Sequence, residues 1–122
     1  MTEESLYQKH IKRFLKSKGR YFYRIEHARI PDIYSCRNKQ VLWIELKTEP
    51  KLSKNFLIPD WRPGQISWMK EHSTLGGEIF CLCLEYKGKY CFLEPKEFYS
   101  IEEVLQTQKE ESYGFTKFFG NK

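Results

Sequence analysis

Between residues 4 and 18 the apolar positions Leu6, Tyr7, His10, Ile11, Phe14 and Leu15 recur at i, i+1, i+4 and i+5, with Lys9, Lys12, Arg13 and Lys16 on the other side. That stripe predicts an amphipathic helix, ended by Gly19. Arg20 to Glu26 reads as a strand, and Asp32 to Cys36 and Val41 to Lys47 read as two more, joined by the polar turn Arg37-Asn38-Lys39-Gln40. Thr48 to Arg62 reads as a long connection. Pro63 suits the first turn of a helix whose apolar face is Ile66, Trp68 and Met69 and which runs to about Leu75, where Gly76-Gly77 breaks it. Glu78 to Tyr86 and Lys89 to Leu93 form a hairpin around Lys87-Gly88. Pro95 to about Gln106 predicts a last helix, and Phe115, Phe118 and Phe119 in the tail mark an apolar strip docked on the core or on a second subunit. The order is αβββαββα, an α/β protein with a central mixed sheet. No repeat, low-complexity tract or linker interrupts it, so residues 1–122 are expected to form one domain.

Composition changes this picture little, but charge adds to it. A hydrophobic fraction of 40% and an aromatic fraction of 16% exclude a disordered chain. The formal charge is +5, and residues 1–30 hold eight Lys and Arg against three Glu, which accounts for the whole excess. A basic segment of this kind suits a polyanion, nucleic acid above all, and suits a solvated helix face equally well. Cys36, Cys81, Cys83 and Cys91 lack CxxC spacing, which argues against zinc, and Cys81 and Cys83 alternate with leucines as buried reduced thiols do. Met1-Thr2-Glu3-Glu4 is acidic where a secretory leader is basic, and no apolar run reaches the length of a membrane span. A cytoplasmic protein is expected, in the host cytoplasm if the chain is viral, with no membrane partner.

The candidate chemistry lies in Pro31-Asp32 and Glu45-Leu46-Lys47. Side chains alternate along a strand, so Glu45 and Lys47 point the same way at the end of the apolar run Val41-Leu42-Trp43-Ile44. If Asn38 and Lys39 form the tip of the preceding turn, pairing runs Arg37–Gln40, Cys36–Val41, Tyr34–Trp43 and so to Asp32–Glu45. Two carboxylates so placed repel unless a cation lies between them, and acidic oxygens with retained waters describe a Mg²⁺ site. A three-residue turn would shift the register by one and separate the acids. Pro-Asp alone is commonplace, and it recurs at Pro59-Asp60. The two motifs together, in this order after a basic helix, favour the metal site.

Helix, strand, Pro31-Asp32, hairpin, Glu45-Leu46-Lys47 and helix resembles the PD-(D/E)xK nuclease superfamily, in particular its small members, the VRR-NUC domains and the archaeal-type Holliday-junction resolvases. Gln65, at the start of the helix after the motif, adds to the VRR-NUC likeness. The resemblance implies a restriction-endonuclease-like αβββαβ core with a central mixed sheet flanked by helices. It implies Asp32 and Glu45 as Mg²⁺ ligands with the backbone carbonyl of Leu46, and Mn²⁺ as a working substitute. It implies Lys47 as the residue that orients the attacking water and offsets developing charge, and Gln65 as its support or a phosphate contact. A first-helix acid joins the metal in many members, and Glu4 is the better match, with Glu3 as second choice. The long stretch Glu49 to Trp61 departs from the minimal pattern.

The implied activity is a Mg²⁺-dependent endonuclease on branched or structured DNA, serving replication, recombination or repair, and by analogy a homodimer. Phosphate contacts are expected from Lys9, Lys12, Arg13, Lys16, Arg24 and Arg29, and from Lys51, Lys54 and Arg62 on the long connection. Tyr34 and Trp61 are candidates for stacking on an unpaired base, although packing is the commoner role of such rings. Two other readings stand beside this one: a non-catalytic nucleic-acid-binding protein with the same fold, and a nicking or restriction-type nuclease.

Overall fold

The N-terminal stripe forms three helical stretches in series, α1 (Glu3–Leu6), a π-helical turn (Tyr7–Ile11) and α2 (Lys12–Ser17), in the computed structural model, which describes residues 1–27 and 30–119. Thr2 caps the start by accepting a hydrogen bond from the Ser5 amide at 3.1 Å. Leu6, Tyr7, Ile11, Phe14 and Leu15 are buried as the stripe requires. Gly19 then takes a positive φ of 67°, and the chain turns into the sheet.

Strands β1 (Tyr21–Arg24), β2 (Ile33–Arg37) and β3 (Gln40–Thr48) form an antiparallel meander. Helix α3 (Gln65–Gly76) carries the chain back to β6 (Ile79–Tyr86), which pairs parallel to β3, and β7 (Lys89–Leu93) completes the five-stranded order β1-β2-β3-β6-β7. Three antiparallel pairings and one parallel pairing make the expected mixed sheet. Strand β6 explains its own composition: Cys81 and Cys83 face the core beneath the N-terminal helices, while Leu82 and Leu84 face a second core with Leu57, Tyr99 and Val104. A strand covered on both faces reads as a continuous apolar run.

The long connection is a correction. Thr48 to Arg62 contains β4 (Lys51–Ser53) and β5 (Phe56–Ile58), which join β8 (Tyr99–Ser100) in a second, three-stranded sheet. Only Leu57 of that hairpin is buried, so no alternation betrays it. The last helix, α4 (Ile101–Lys109), starts later than expected because Ser100 and Glu103 form a reciprocal capping box there. The stretch Glu111–Phe119 follows, 3₁₀ in its parts and kinked by positive φ at Ser112, Tyr113 and Gly114, and it returns Phe115 to the chain's own core, edge-on to Phe14 and Phe92 with ring centroids 4.9 Å from each. Cys81, Cys83 and Cys91 are buried free thiols, and Cys36 is half-buried. Among the described residues, no helix is long and apolar enough to cross a membrane.

Gly114 is the tightest point in this arrangement. Its φ is 86°, and a Cβ there would lie 2.6 Å from Thr107 Cγ2 and 2.7 Å from the Phe92 carbonyl oxygen. A side chain would combine left-handed strain with overpacking against backbone. Gly114→Ala is therefore expected to destabilise the protein by roughly 2–4 kcal/mol in urea unfolding. A change under about 0.5 kcal/mol, the size of a neutral surface substitution, would contradict this packing.

Candidate active site

Asn38 and Lys39 form the tip of the β2–β3 hairpin with φ of 50° and 67°. Two consecutive left-handed residues make the primed turn whose twist matches paired strands. The register is Arg37 with Gln40, Cys36 with Val41, Tyr34 with Trp43 and Ile33 with Ile44, as the two-residue tip requires. Asp32 lies one step beyond the last pair, next to Glu45. Its Oδ2 accepts a hydrogen bond of 2.9 Å from the Leu46 amide.

Leu42, Ile44 and Leu46 point into the helix-side core, so Trp43, Glu45 and Lys47 share the opposite face of β3. Glu45 is 3% exposed and Lys47 4%. Lys47 Nζ lies 3.3 Å from Glu45 Oε2, which also accepts a 2.9 Å hydrogen bond from Gln65 Nε2. Glu45 Oε1 is buried with no hydrogen-bond partner. Burial first, and the charge of Asp32 second, push the Glu45 carboxyl from 4.5 up to about 7, while Lys47 and Gln65 pull it the other way. A buried, half-satisfied carboxylate beside a second one is a strained electrostatic arrangement that a cation would relieve.

The loop before α3 closes the site. Lys47 Nζ donates to the Asp60 carbonyl oxygen at 2.7 Å and lies 5.5 Å from the centre of the Trp61 ring. Gln65 is 4% exposed, and its Oε1 accepts from the Arg62 amide at 2.8 Å, so one side chain ties this loop to Glu45. Asp60 escaped sequence reasoning because it contributes a main-chain carbonyl, which no residue type announces.

The two helix acids are placed differently. Glu4 is exposed, pairs with Arg24 Nη1 and accepts from Gln8 Nε2 at 2.9 Å; the Gln8 bond foremost holds its carboxyl below the ordinary value. Arg24, lying 5.0 Å over the Tyr7 ring, draws Glu4 away. Glu3 is the acid within electrostatic reach of the site: burial foremost raises its carboxyl, Lys47 lowers it, Asp32 raises it and Arg62 lowers it. Of the expected phosphate contacts, Lys9, Arg13, Lys16, Lys51, Lys54 and Arg62 are exposed and Lys12 and Arg24 half-buried. Arg29 lies outside the described residues.

Among the described residues no group of three or more His, Cys, Asp and Glu could hold a metal ion. The donor set that fits one is smaller: Asp32 and Glu45, with the orphaned Glu45 Oε1 available. Mg²⁺ commonly takes one or two carboxylates and keeps several waters, so two acids suffice.

No protein-family profile matches the sequence, and no curated protein matches it. Solved structures do. Hjc from Archaeoglobus fulgidus, a Holliday junction resolvase from an archaeal hyperthermophile, matches at a TM-score of 0.58 and 14% identity, over 83% of this chain and 86% of that one. The fold is that of Hjc. The two share a central mixed sheet flanked by helices.

The raised Glu45 carboxyl sets a pH dependence. The native state holds the proton up to about pH 7 and the unfolded chain releases it near 4.5, so this group's contribution is full below about pH 4.5 and is lost as pH rises to 7. The loss is on the order of 3 kcal/mol. Urea unfolding in EDTA at pH 5 and pH 8 is expected to show a larger fall for the wild type than for Glu45→Gln. Equal falls would contradict the assigned environment.

Proposed function

We propose that this protein is a metal-dependent endonuclease that hydrolyses phosphodiester bonds in branched or structured DNA, in the manner of a junction resolvase. The observation that carries the reading is the buried Glu45, with one oxygen orphaned, beside Asp32 and Lys47 in an Hjc-type fold. Asp32 and Glu45 would hold Mg²⁺, or Mn²⁺ in its place, with help from the Leu46 carbonyl. The ion would supply a Lewis acid for the phosphate and lower the pKa of a water. Lys47 donates hydrogen bonds to the attacking water and offsets the negative charge that grows on the phosphoryl oxygens. The Asp60 carbonyl and Gln65 hold Lys47 and Glu45 in place before substrate arrives. Glu3 stands at the edge of the set as a further acid. The contact between Gln65 and Glu45 suits the supporting role that the VRR-NUC likeness implies.

Exposed Lys9, Arg13 and Lys16, with Lys51, Lys54 and Arg62, would hold the DNA backbone without reading bases. A homodimer follows from the substrate, because a four-way junction presents two equivalent strands to cut. The non-catalytic binder is disfavoured by the Asp32, Glu45 and Lys47 set, since stability is a weak reason to bury an acid and a base together at this strand end.

A labelled four-way junction and its matched linear duplex, each with Mn²⁺ or EDTA, test the proposal. Metal-dependent cutting is expected to favour the junction and to fall about 100-fold or more in Lys47→Ala. Cutting in EDTA, or full activity in the variant, would refute the assignment, and binding without cutting would favour the non-catalytic protein.

A further inference from the structure

At the tip of the β2–β3 hairpin, a cavity of about 420 Å³ opens among Lys18, Arg20, Arg37, Asn38, Gln40 and Phe119. The tip is the far end of the strands from the acids. Five residues of β3 separate Gln40 from Glu45, about 17 Å at the rise of an extended strand. The cavity is therefore separate from the candidate active site.

Its side chains include three cations and, among the described residues, no acid. Arg20 is 6% exposed. Its Nε donates to Ser35 Oγ at 2.6 Å, and its Nη2 to the Ser35 and Gln40 carbonyl oxygens at 3.4 and 3.0 Å. Its guanidinium carbon lies 5.0 Å from the Phe119 ring centre. All these partners are neutral, so among the described residues no acid pairs with the Arg20 charge, whereas buried charges are ordinarily paired. A second guanidinium, that of Arg37, stands beside it, fixed by a 2.8 Å bond to the Lys18 carbonyl oxygen. The guanidinium packs against Gly19, where a Cβ would lie in ordinary contact with Arg37 Cζ at 3.7 Å. Lys18 Nζ donates to a hydroxyl, Ser112 Oγ at 2.8 Å, and pairs with no acid among the described residues.

Two guanidiniums and an ammonium around one opening suit a phosphate: Arg20 lends its buried charge, with Nε and Nη2 already engaged, and the planar fork of Arg37 matches two oxygens of a tetrahedral oxyanion. We propose that this cavity binds a phosphate group, supplied either by the backbone of a bound nucleic-acid strand or by a free phosphate compound.

The test uses the whole protein in EDTA, where neither cleavage nor metal bears on the result. Inorganic phosphate is titrated against chloride of equal ionic strength while Tm is followed. The wild type and Lys109→Gln, which removes one exposed charge elsewhere, are expected to show a saturable, phosphate-specific rise in Tm. Arg37→Gln is expected to lose most of that rise, and Lys18→Gln serves as an independent second variant should the first fold poorly. A rise as large in both variants as in the wild type, or no rise beyond that in chloride, overturns the proposal. Binding to a short oligonucleotide across salt concentrations then separates the two sources. A slope of log K against log salt lower by about 1 in Arg37→Gln identifies the strand backbone, and an unchanged slope identifies the free compound.

Discussion

With Asn38 and Lys39 both at positive φ, the β2–β3 hairpin has one register, and the candidate site follows from it. A slip of one residue would send Glu45 and Lys47 into the core and bring Ile44 and Leu46 out of it. In the register observed, Asp32 reaches the Leu46 amide, and Glu45 and Lys47 emerge together on the opposite face of β3 from the apolar set. The N-terminal helices pack over one face of the same strand, and Gln65 of α3 reaches the other at Glu45. A two-residue turn thus aligns one acid from β2 with an acid and a base from β3.

The energetics of that cluster are unfavourable without a ligand. Glu45 and Lys47 form a pair shielded from water, yet the pair is imperfect: one carboxylate oxygen lacks a partner, and Asp32 adds a like charge nearby. Replacing such a pair with apolar residues often leaves stability unchanged or improves it, so stability does not explain its presence. The proposed cation site would account for all three features together. The surrounding contacts make the same point: Gln65 and the Asp60 carbonyl fix the side chains that a reaction would use, at the expense of freedom in the loop before α3.

The sequence carried the register because it depends on one turn, and turn chemistry is local. It carried the N-terminal helix and the β6–β7 hairpin for the same reason, through the stripe from Leu6 to Leu15 and the tip at Lys87-Gly88. It did not reveal the second sheet, whose three-residue strands from Lys51 to Ile58 are nearly all exposed and find their partner at Tyr99, far along the chain. Spacing also failed to separate Glu3 from Glu4. The deciding contact is Arg24 of β1, and nothing local to the helix predicts it. The hairpin-tip cavity was hidden likewise: Arg20 read as one more charge in a basic segment, and only packing against Phe119 and Ser35 reveals it as buried and, among the described residues, without an acid.

Calorimetric titration of Mn²⁺ into the protein tests the central claim most directly, because it asks whether these acids exist to hold a cation. Saturable binding at one site per chain, abolished in Asp32→Asn, is the predicted result. Absence of binding, or binding unchanged in Asp32→Asn, would contradict the account.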